Sequence, residues 1–172
     1  MSPPPGSAQI SLPVCTVLRP QHAGALASFF ERLRAAGAEP FFHPHPLTAA
    51  EASRRAHYTG RDFYCVLIAE EAVIGYGMLR GWDEGYAVPS LGVAVDPAWQ
   101  GRGQARRLMG FLHATAQQRG CERVRLRTQA DNVRALALYR SLGYRFEKEA
   151  DGQLLGFLPL HRATQPKEEN RQ

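Results

Sequence analysis

Residues 93–105 read VAVDPAWQGRGQA, and this stretch is the most informative part of the chain. An apolar, β-branched run leads into a loop with two glycines, and the loop leads directly into an amphipathic helix. Free amides at a helix start point outward, the helix dipole favours negative charge there, and glycine lets a ligand approach the backbone closely. The pattern predicts an anion cradle, and Arg102, Arg106 and Arg107 crowd the same helix end, where cations are unfavourable unless an anion binds.

Two familiar phosphate-binding loops do not fit this stretch. A Rossmann fingerprint needs glycine or alanine where Arg106 stands, and a P-loop needs Gly-Lys followed by Ser or Thr. An ordinary loop beside a solvated arginine face is the plainer interpretation of an isolated Gly-x-Gly. The loop alone therefore leaves the identity of the anion open.

The positive charge of the chain is concentrated around this loop. The formal net charge is +5 over 172 residues, and 44% of the residues are hydrophobic. Residues 100–145 hold ten arginines against two acids, a net +8, while the remainder carries −3. Arginine suits forked contacts with phosphate better than lysine does. The balance favours a phosphorylated partner, and the mildly acidic remainder would suit a cationic amine.

Length and composition predict a single domain over residues 10–161, with 1–9 and 162–172 as flexible termini. No run approaches the ~20 apolar residues that cross a bilayer, and the first residues lack the features of a secretory signal. Cys15, Cys65 and Cys121 form no CxxC pair and are interpreted as small buried hydrophobes in a reducing compartment. We therefore expect a cytoplasmic protein with no membrane partner.

Strand patterns come first along the chain and then alternate with helix patterns. The predicted strands are 14–18, 63–69, 73–79, 91–95, 124–128, 144–146 and 154–158. The predicted helices cover 26–33, start at the capping residue Thr48, cover 104–119, and follow a cap at Asp131 or Asn132. This order predicts an α/β (α+β) fold, a mixed sheet with helices on its faces.

Two motifs resemble those of the GCN5-related N-acetyltransferase (GNAT) superfamily. Residues 100–105 fit the family signature Gln/Arg-x-x-Gly-x-Gly/Ala, and residues 132–144 fit Asn-x-x-Ala-x-x-Leu-Tyr-x-x-x-Gly-Tyr. The two motifs lie at the separation usual in the family, and the resemblance covers about residues 14–160. It implies a GNAT-like mixed, mostly antiparallel sheet of six to seven strands with helices on both faces.

The resemblance also implies a transferase that binds acetyl-CoA and passes its acetyl group directly to an amine. The pyrophosphate would be held by the loop and helix start, which here comprise Gly101, Arg102, Gly103, Gln104, Ala105 and Arg106. The pantetheine arm would pair like an extra strand with Val93, Ala94 and Val95, one of whose amides would polarise the thioester carbonyl. Asn132 would hydrogen-bond the arm of the cofactor.

Tyr139 would be the general acid of such an enzyme. The departing thiolate of coenzyme A needs a proton or a hydrogen bond, and a phenol in the cleft can give one. Spacing alone suggests a core tyrosine instead, because Tyr139 lies three residues after Leu136 and three before Leu142. With the family motif around it, catalysis is the prediction.

The general base is not fixed by the sequence. Relatives that acetylate protein N-termini commonly carry a Glu about five residues before the motif Asn, and Arg127 at that place counts against this branch. Asp83 and Glu84 are the nearby acids and the candidate catalytic carboxylates, although a solvated hairpin turn explains them equally well. His57 and Tyr58 are weaker candidates.

A small amine is the expected acceptor. Residues 77–82 are similar to acetyltransferases of surface-sugar pathways, and aromatic residues such as Phe42 and Tyr86 would suit stacking on a sugar, so an amino sugar or nucleotide-amino sugar is the prediction. His43 and His45 have no third ligand at metal-like spacing and are interpreted as loop, with no metal site.

Other classes of protein stay open at this stage. A protein or peptide amine is the alternative acceptor, and a coenzyme A-binding module without activity is a further possibility. A nucleic-acid-binding module would explain the arginines, but few aromatics are interspersed to stack bases, so no nucleic-acid partner is expected. The sheet edges leave room for a homodimer.

Overall fold

The computed structural model describes residues 12–42, 44–149 and 151–160. The predictions made for the two termini and for His43 lie outside these residues. In chain order the elements are β1 (Val14–Val17), α1 (Ala23–Ala35), α2 (Ala49–Ala56), β2 (Phe63–Ala69), β3 (Ala72–Arg80), β4 (Ser90–Val95), α3 (Gln104–Gln118), β5 (Arg123–Gln129), α4 (Val133–Ser141), β6 (Arg145–Lys148) and β7 (Gln153–Pro159).

The strands form one seven-stranded sheet in the order β1-β2-β3-β4-β5-β7-β6. The first four strands make an antiparallel meander, and β5, β7 and β6 are also joined by antiparallel pairs. Only β4 and β5, at the centre, run parallel. The predicted mixed, mostly antiparallel sheet of six to seven strands is confirmed.

The two faces of the sheet bury separate cores. Helices α1 and α2 cover β2 and β3 on one face, with Phe29 and Phe30 fully buried there against Tyr76. Helix α3 covers the other face, on which α4 also packs. A Cβ on Gly75 would lie 2.8 Å from Leu108 of α3, so glycine lets this helix sit close to β3. Helices on both faces are confirmed.

The helix starts follow the local signals of the sequence. The Thr48 hydroxyl accepts a hydrogen bond from the Glu51 N–H at 3.1 Å, as the capping pattern predicts. For α4 the cap is Asn132, whose side-chain oxygen accepts from the Ala135 N–H at 3.3 Å. The prediction for β6 was early by one residue: the strand starts at Arg145, and Tyr144 is buried just before it.

One part of the sheet surface is left uncovered by helices of the described chain. On β5, Val124 and Leu126 are buried against α3, while the alternating residues Arg123, Arg125 and Arg127 face the other way. Helices α1 and α2 pack over β2 and β3 and leave the arginine face of β5 partly or fully exposed. This arginine face borders the central opening described below.

Candidate active site

The site begins at a gap between the two parallel strands. β4 and β5 share a single pair of partners, Ser90 and Arg125, and then diverge toward their C-terminal ends. Past Ser90, the edge of β4 that faces β5 has no ladder partner. A cavity of about 960 Å³ occupies the opening and extends along it in both directions.

The direction of the β4 amides is fixed by their neighbours. The Pro89 carbonyl accepts from the Arg125 N–H of β5 at 3.0 Å, and the Asp96 N–H donates in the opposite direction, to β3, at 2.9 Å. Because alternate residues of a strand direct their N–H and C=O groups to opposite edges, Val93 turns its amide into the gap. Ala94 turns its own amide toward β3. By the same alternation Val95 also turns its amide into the gap, so of the predicted strand residues Val93 and Val95 face the gap and Ala94 does not.

The loop that follows β4 is anchored at its base. One Asp96 oxygen accepts from the Ala98 N–H at 3.0 Å, and the other accepts from the Arg32 side chain of α1 at 2.6 Å. The Gln100 side chain donates back to the Val95 carbonyl at 3.2 Å. These bonds fix the path of the chain from the strand into the glycines.

The glycines of the loop leave open space at the start of α3. Gly101 and Gly103 have left-handed φ values of 72° and 76°. A Cβ built on Gly103 would meet no atom within 4 Å, so a side chain there would project into free space. No side chain caps α3, and its first amides have no partner within the helix. We call residues 101–106 the anion cradle, since free amides and open space are what a phosphate group requires.

The arginines at this helix end are not arranged as the sequence suggested. Arg102 lies over the Trp99 ring, with its guanidinium carbon 5.5 Å from the ring centroid. Arg106 donates to the Ser141 hydroxyl of α4 at 2.7 Å, and Arg107 donates to the Pro13 carbonyl. Each of the three has a protein contact of its own, and of the three only Arg106 lines the cavity.

Arg134, in the first turn of α4, supplies a cation that the sequence analysis missed. Its side chain reaches the Gln100 oxygen at 3.5 Å, and a Cβ on Gly101 would lie 3.6 Å from its Nη2. It lines the cavity directly beside the anion cradle. Arg134 stands two residues after the motif residue Asn132, and this position is the signal that could have revealed it.

Tyr139 lies in the wall of the same cavity, in the second half of α4. Its ring packs against Tyr144 at 5.9 Å and Phe146 at 6.4 Å between centroids. Burial raises the pKa of the phenol to about 12, so the hydroxyl stays protonated at neutral pH. Within the described residues this hydroxyl has no hydrogen-bond partner, and its proton is free to serve a ligand.

The cavity collects most of the predicted site residues. Those that line it are Glu84, Val93, Ala94, Val95, Gly101, Gly103, Gln104, Ala105, Arg106, Asn132 and Tyr139. Arg102 and Asp83 do not line it. Asn132 uses its side-chain oxygen to cap α4, which leaves its amide hydrogens available on the cavity side. The buried Gln104 Oε1 has no partner in the described chain, while its NH₂ group donates to the Arg102 carbonyl at 3.4 Å.

The two acids of the β3–β4 turn have different surroundings. Asp83 accepts hydrogen bonds from the Tyr58 hydroxyl and, at 2.8 Å, from the Arg61 N–H. The Tyr58 hydrogen bond is the main reason that the pKa of the exposed Asp83 carboxyl is lowered. Glu84 lines the cavity. Of the two acids of this turn, Glu84 therefore faces the cavity. Asp83 instead holds residues 58–61 in place through its hydrogen bonds.

The acceptor side of the cavity is rich in arginine. Its charged lining residues are Arg80, Glu84 and Arg125 at the end nearest the β3–β4 turn, which we call the acceptor end, and Arg127 two residues further along β5. Arg127 is neutralised by Glu149, with a shortest N–O distance of 2.8 Å. The net charge outside residues 100–145 did not reveal that three adjacent strands bring arginines to this end of the cavity, and the place where an acceptor binds stays a prediction.

The described histidines make contacts of other kinds. His45 is buried and lies 3.1 Å from the Tyr76 hydroxyl and 2.9 Å from the Pro46 carbonyl. Within residues 12–42, 44–149 and 151–160, no three His, Cys, Asp or Glu side chains cluster as metal ligands would. His57 is exposed and contacts the Ser53 carbonyl of its own helix. Among the described helices, none is long and apolar enough to cross a membrane.

Comparison with known sequences gives a family. The sequence profile of the acetyltransferase (GNAT) family matches residues 29–144, more than half of the chain. The N-alpha-acetyltransferase RimI of Mycobacterium tuberculosis is 40% identical over 93 residues, which are 54% of this chain and 54% of that protein. An uncharacterized protein of Mycobacterium leprae is 48% identical over 52 residues, 30% of this chain and 14% of that protein. The chain thus spans about half, or less, of these relatives.

Solved structures show the same fold. The PaiA N-acetyltransferase of Thermoplasma acidophilum, in complex with coenzyme A, superposes with a TM-score of 0.72, 10% identity, and coverage of 87% of this chain and 99% of that chain. At such low identity the likeness concerns the fold alone.

Proposed function

The chain belongs to the GNAT family of acetyltransferases, as its two motifs predicted, and on this premise we propose that it moves the acetyl group of acetyl-CoA to the primary amine of a small molecule. One observation carries the proposal. The gap between β4 and β5 joins the anion cradle, the free Val93 amide and Tyr139 to a separate acceptor end in one continuous cavity. A donor and an acceptor can therefore meet inside it.

The donor side of the proposal rests on the anion cradle and its neighbours. The free amides at the start of α3 would bind the pyrophosphate of acetyl-CoA, with Arg134 adding positive charge beside them. The unpaired edge of β4 would hydrogen-bond the extended pantetheine arm, and Asn132 would donate to it from the opposite wall. Acetyl-CoA supplies the activated acetyl thioester, and the protein supplies its position.

Tyr139 would act on the leaving sulfur. As the amine nitrogen bonds to the acetyl carbon, the carbon–sulfur bond breaks and the thiolate leaves with the electron pair. An ordinary thiol has a pKa of ~8.5. A phenol with a pKa of about 12 therefore gives the thiolate a hydrogen bond more readily than it gives up its proton. Val93 would donate its N–H to the thioester oxygen, where negative charge develops.

Glu84 would serve the amine. A primary amine is an ammonium ion at neutral pH and must lose one proton before its nitrogen can attack. Glu84 is the carboxylate that lines the acceptor end without a salt bridge in the described chain, so it can attract the ammonium and pass its proton to water. Asp83 is proposed only as a residue that holds this turn, through Tyr58.

A peptide or protein N-terminus is the second candidate acceptor. It is favoured by the RimI relative, which is named as an N-alpha-acetyltransferase. Against it stands Arg127, which occupies the strand position where that branch commonly has a Glu and which is paired with Glu149. We therefore place the small amine first.

A screen of primary amines tests the proposal. The protein is incubated with acetyl-CoA and single amines, including amino sugars, nucleotide-amino sugars and short peptides with free N-termini. Released thiol is measured, and the products are identified by mass spectrometry. We expect acetyl transfer to at least one small amine at a higher kcat/KM than to any peptide.

Two outcomes would contradict this proposal in different ways. Peptides that are acetylated faster than every small amine would move the assignment to the second candidate. Tight coenzyme A binding with no transfer to any amine would support a binding module without activity. The Gly103→Val variant, whose new side chain would occupy the anion cradle, serves as the control for thiol release that does not depend on the site.

The remaining expectations form part of the same proposal. Residues 10–161 would make up one acetyltransferase domain that acts in the cytoplasm, with no nucleic-acid or membrane partner. The three cysteines support a reducing compartment, since Cys15, Cys65 and Cys121 are all free thiols. A homodimer through a sheet edge is compatible with this function, and size-exclusion chromatography with light scattering tests it.

A further inference from the structure

We infer that the acceptor carries an anionic group next to its amine, and that Arg80, Ser90 and Arg125 bind this group. The inference rests on the proposed function and narrows the substrate to amines that also bear a phosphate or a carboxylate. It is carried by the register of three strands and by the lack of a counter-ion for the two arginines among the described residues.

The three residues form one row across the centre of the sheet. Arg80 of β3 pairs with Ser90 of β4, and Ser90 pairs with Arg125 of β5. Directly paired residues on neighbouring strands direct their side chains to the same face, and adjacent strands lie ~4.8 Å apart. The two guanidinium groups thus rise from the same face on either side of a hydroxyl, and all three residues line the cavity.

Arg80 is not fully satisfied by the protein. Its Nη1 donates to the Pro44 carbonyl at 2.7 Å, but its Nε is buried and has no partner in the described chain. A buried charged donor without a partner is costly, and the cost is removed when an acceptor binds. Arg80 also lines the cavity, so its guanidinium holds a positive charge without a counter-ion from the described residues at the wall where a ligand would bind.

Arg125 is held in place without being neutralised. Its guanidinium lies over the Tyr86 ring, 5.2 Å from the centroid, and no carboxylate of the described residues lies within salt-bridge distance of it. A ring contact orients the guanidinium while leaving its N–H groups free to donate. Arg127, two residues on, is by contrast paired with Glu149 and is excluded from the row.

The arrangement matches an anion by charge and by hydrogen bonding. Two forked guanidinium groups and a hydroxyl present several donors to one ligand, which phosphate and carboxylate oxygens can accept together. Glu84 lines the same end of the cavity and would face the ammonium group. Together they describe an acceptor with both charges, one held by the arginine row and one by Glu84.

Binding to the full protein saturated with coenzyme A tests this inference apart from turnover. Dissociation constants are measured by calorimetry for two matched pairs: glucosamine 6-phosphate with glucosamine, and the peptides Ser-Asp-Ala and Ser-Asn-Ala. We expect at least one member that carries the added anionic group to bind about tenfold or more tightly than its partner without that group. A preference in the glucosamine pair identifies phosphate as the anionic group that is bound, and a preference in the peptide pair identifies carboxylate.

Three variants assign the preference to the row. Arg80→Gln and Arg125→Gln are each expected to reduce the ratio within the pair to about twofold, because each removes a charge-assisted bond. Arg123→Gln is the matched control: Arg123 lies on the same face of the same strand but stacks on Phe157, outside the cavity, and the ratio should be unchanged. A merely structural role of Arg80 would weaken both members of a pair equally.

The outcomes separate this inference from the proposed function. Equal binding of the two members of each pair overturns the inference. It is also overturned if the preference for the member with the added anionic group persists in both Arg80→Gln and Arg125→Gln, or if that preference is lost in Arg123→Gln. Preferential binding without acetyl transfer supports the anion site and counts against the small-amine proposal. Transfer to amines with no preference for the anionic member supports the proposed function alone.

Discussion

The two ends of the cavity are built in different ways. The donor end, comprising Val93, the anion cradle and α4 with its Asn132 cap, comes from two short, continuous segments of chain. The acceptor end takes Arg80, Ser90 and Arg125 from three different strands. The functional residues of a continuous segment are neighbours in the sequence and can be recognised there. A row of residues across several strands forms only when the strands pair in the correct register.

The hydrogen bonds that hold the two ends in place also differ in their sequence range. The donor end is fixed mainly by local bonds, such as those that Asp96 accepts from the Ala98 N–H and Asn132 accepts from the Ala135 N–H, with one long-range bond from Arg32 to Asp96. The turn beside the acceptor end is fixed from a distance: the buried Asp62 accepts hydrogen bonds from the N–H groups of Gly81 and Trp82, both at 2.9 Å. Substitutions at the donor end should therefore have local effects that can be assigned to single residues.

The largest effect is expected for Tyr139→Phe. This variant tests whether Tyr139, which we place between the donor end and the acceptor end, takes part in the acetyl transfer step rather than in the binding of acetyl-CoA. We expect kcat to fall roughly 100-fold or more, with the Kd for acetyl-CoA nearly unchanged, because only the hydroxyl is lost. Stopped-flow or steady-state thiol release measures kcat, and calorimetry measures Kd.

Tyr144→Phe provides the control for Tyr139, because Tyr144 is buried beside it without lining the cavity and its kcat should be preserved. The high pKa of Tyr139 adds a pH test. With a pKa of about 12 the phenol keeps its proton as the pH rises through neutrality, so this group imposes no loss of kcat at moderately alkaline pH. A kcat unchanged by Tyr139→Phe would refute the role of the hydroxyl.

The next effect is expected for Gly103→Val, which tests the donor end alone. Valine is strained at a φ of 76°, and its side chain would occupy the space that a phosphate needs. We expect the Kd for coenzyme A to rise about tenfold or more, with the binding preference of the acceptor end retained. Gly110→Ala, at an exposed position of α3, is the matched control and should leave the Kd for coenzyme A unchanged.

A smaller effect is expected for Arg134→Gln, which tests the cation that the sequence analysis missed. Arg134 is exposed, so solvent weakens its attraction to phosphate, and we expect the KM for acetyl-CoA to rise roughly three- to fivefold. The effect should shrink at high salt. Arg140→Gln, an exposed arginine in the last turn of the same helix, should have no effect; an equal rise there would indicate a general charge effect.

The smallest effect on activity is expected from two histidines, the buried His45 and the half-buried His113. Burial lowers the pKa of His45 and lowers that of His113 to about 4, so both imidazoles are uncharged in the folded protein at neutral pH. The unfolded chain binds these protons near pH ~6.5. The free energy of unfolding should therefore fall as the pH drops below that value, and for His113 the fall continues to about pH 4.

Urea denaturation at a series of pH values measures this loss, which we expect to be on the order of 2 kcal/mol. His113→Phe should flatten the pH dependence, although it also removes the 2.8 Å contact with Tyr144 and lowers stability at neutral pH. His57→Gln is the control, because His57 is exposed. A pH dependence that is the same in all three proteins would contradict the assignment.

Much of the fold was predictable because its signals are local. Residues 63–69 form a strand over the predicted span, and Thr48 caps α2 as its spacing from Glu51 indicated. Most of the predicted donor-end residues line one cavity for the same reason. The exceptions are side chains with a choice of partner, such as Arg107, which binds the Pro13 carbonyl, far away in sequence, instead of facing the anion cradle.

The sequence by itself determined the family, the anion cradle and the helix that carries Tyr139, because glycine conformations, helix caps and apolar periods are properties of neighbouring residues. Only the tertiary structure decided that Arg80 and Arg125 share a row with Ser90, and that Arg127 is neutralised by Glu149. A net charge of −3 outside residues 100–145 did not reveal that the pairing of β3, β4 and β5 brings arginines to one end of the cavity. Strand register, which depends on long-range pairing, decides which charges meet in the cavity.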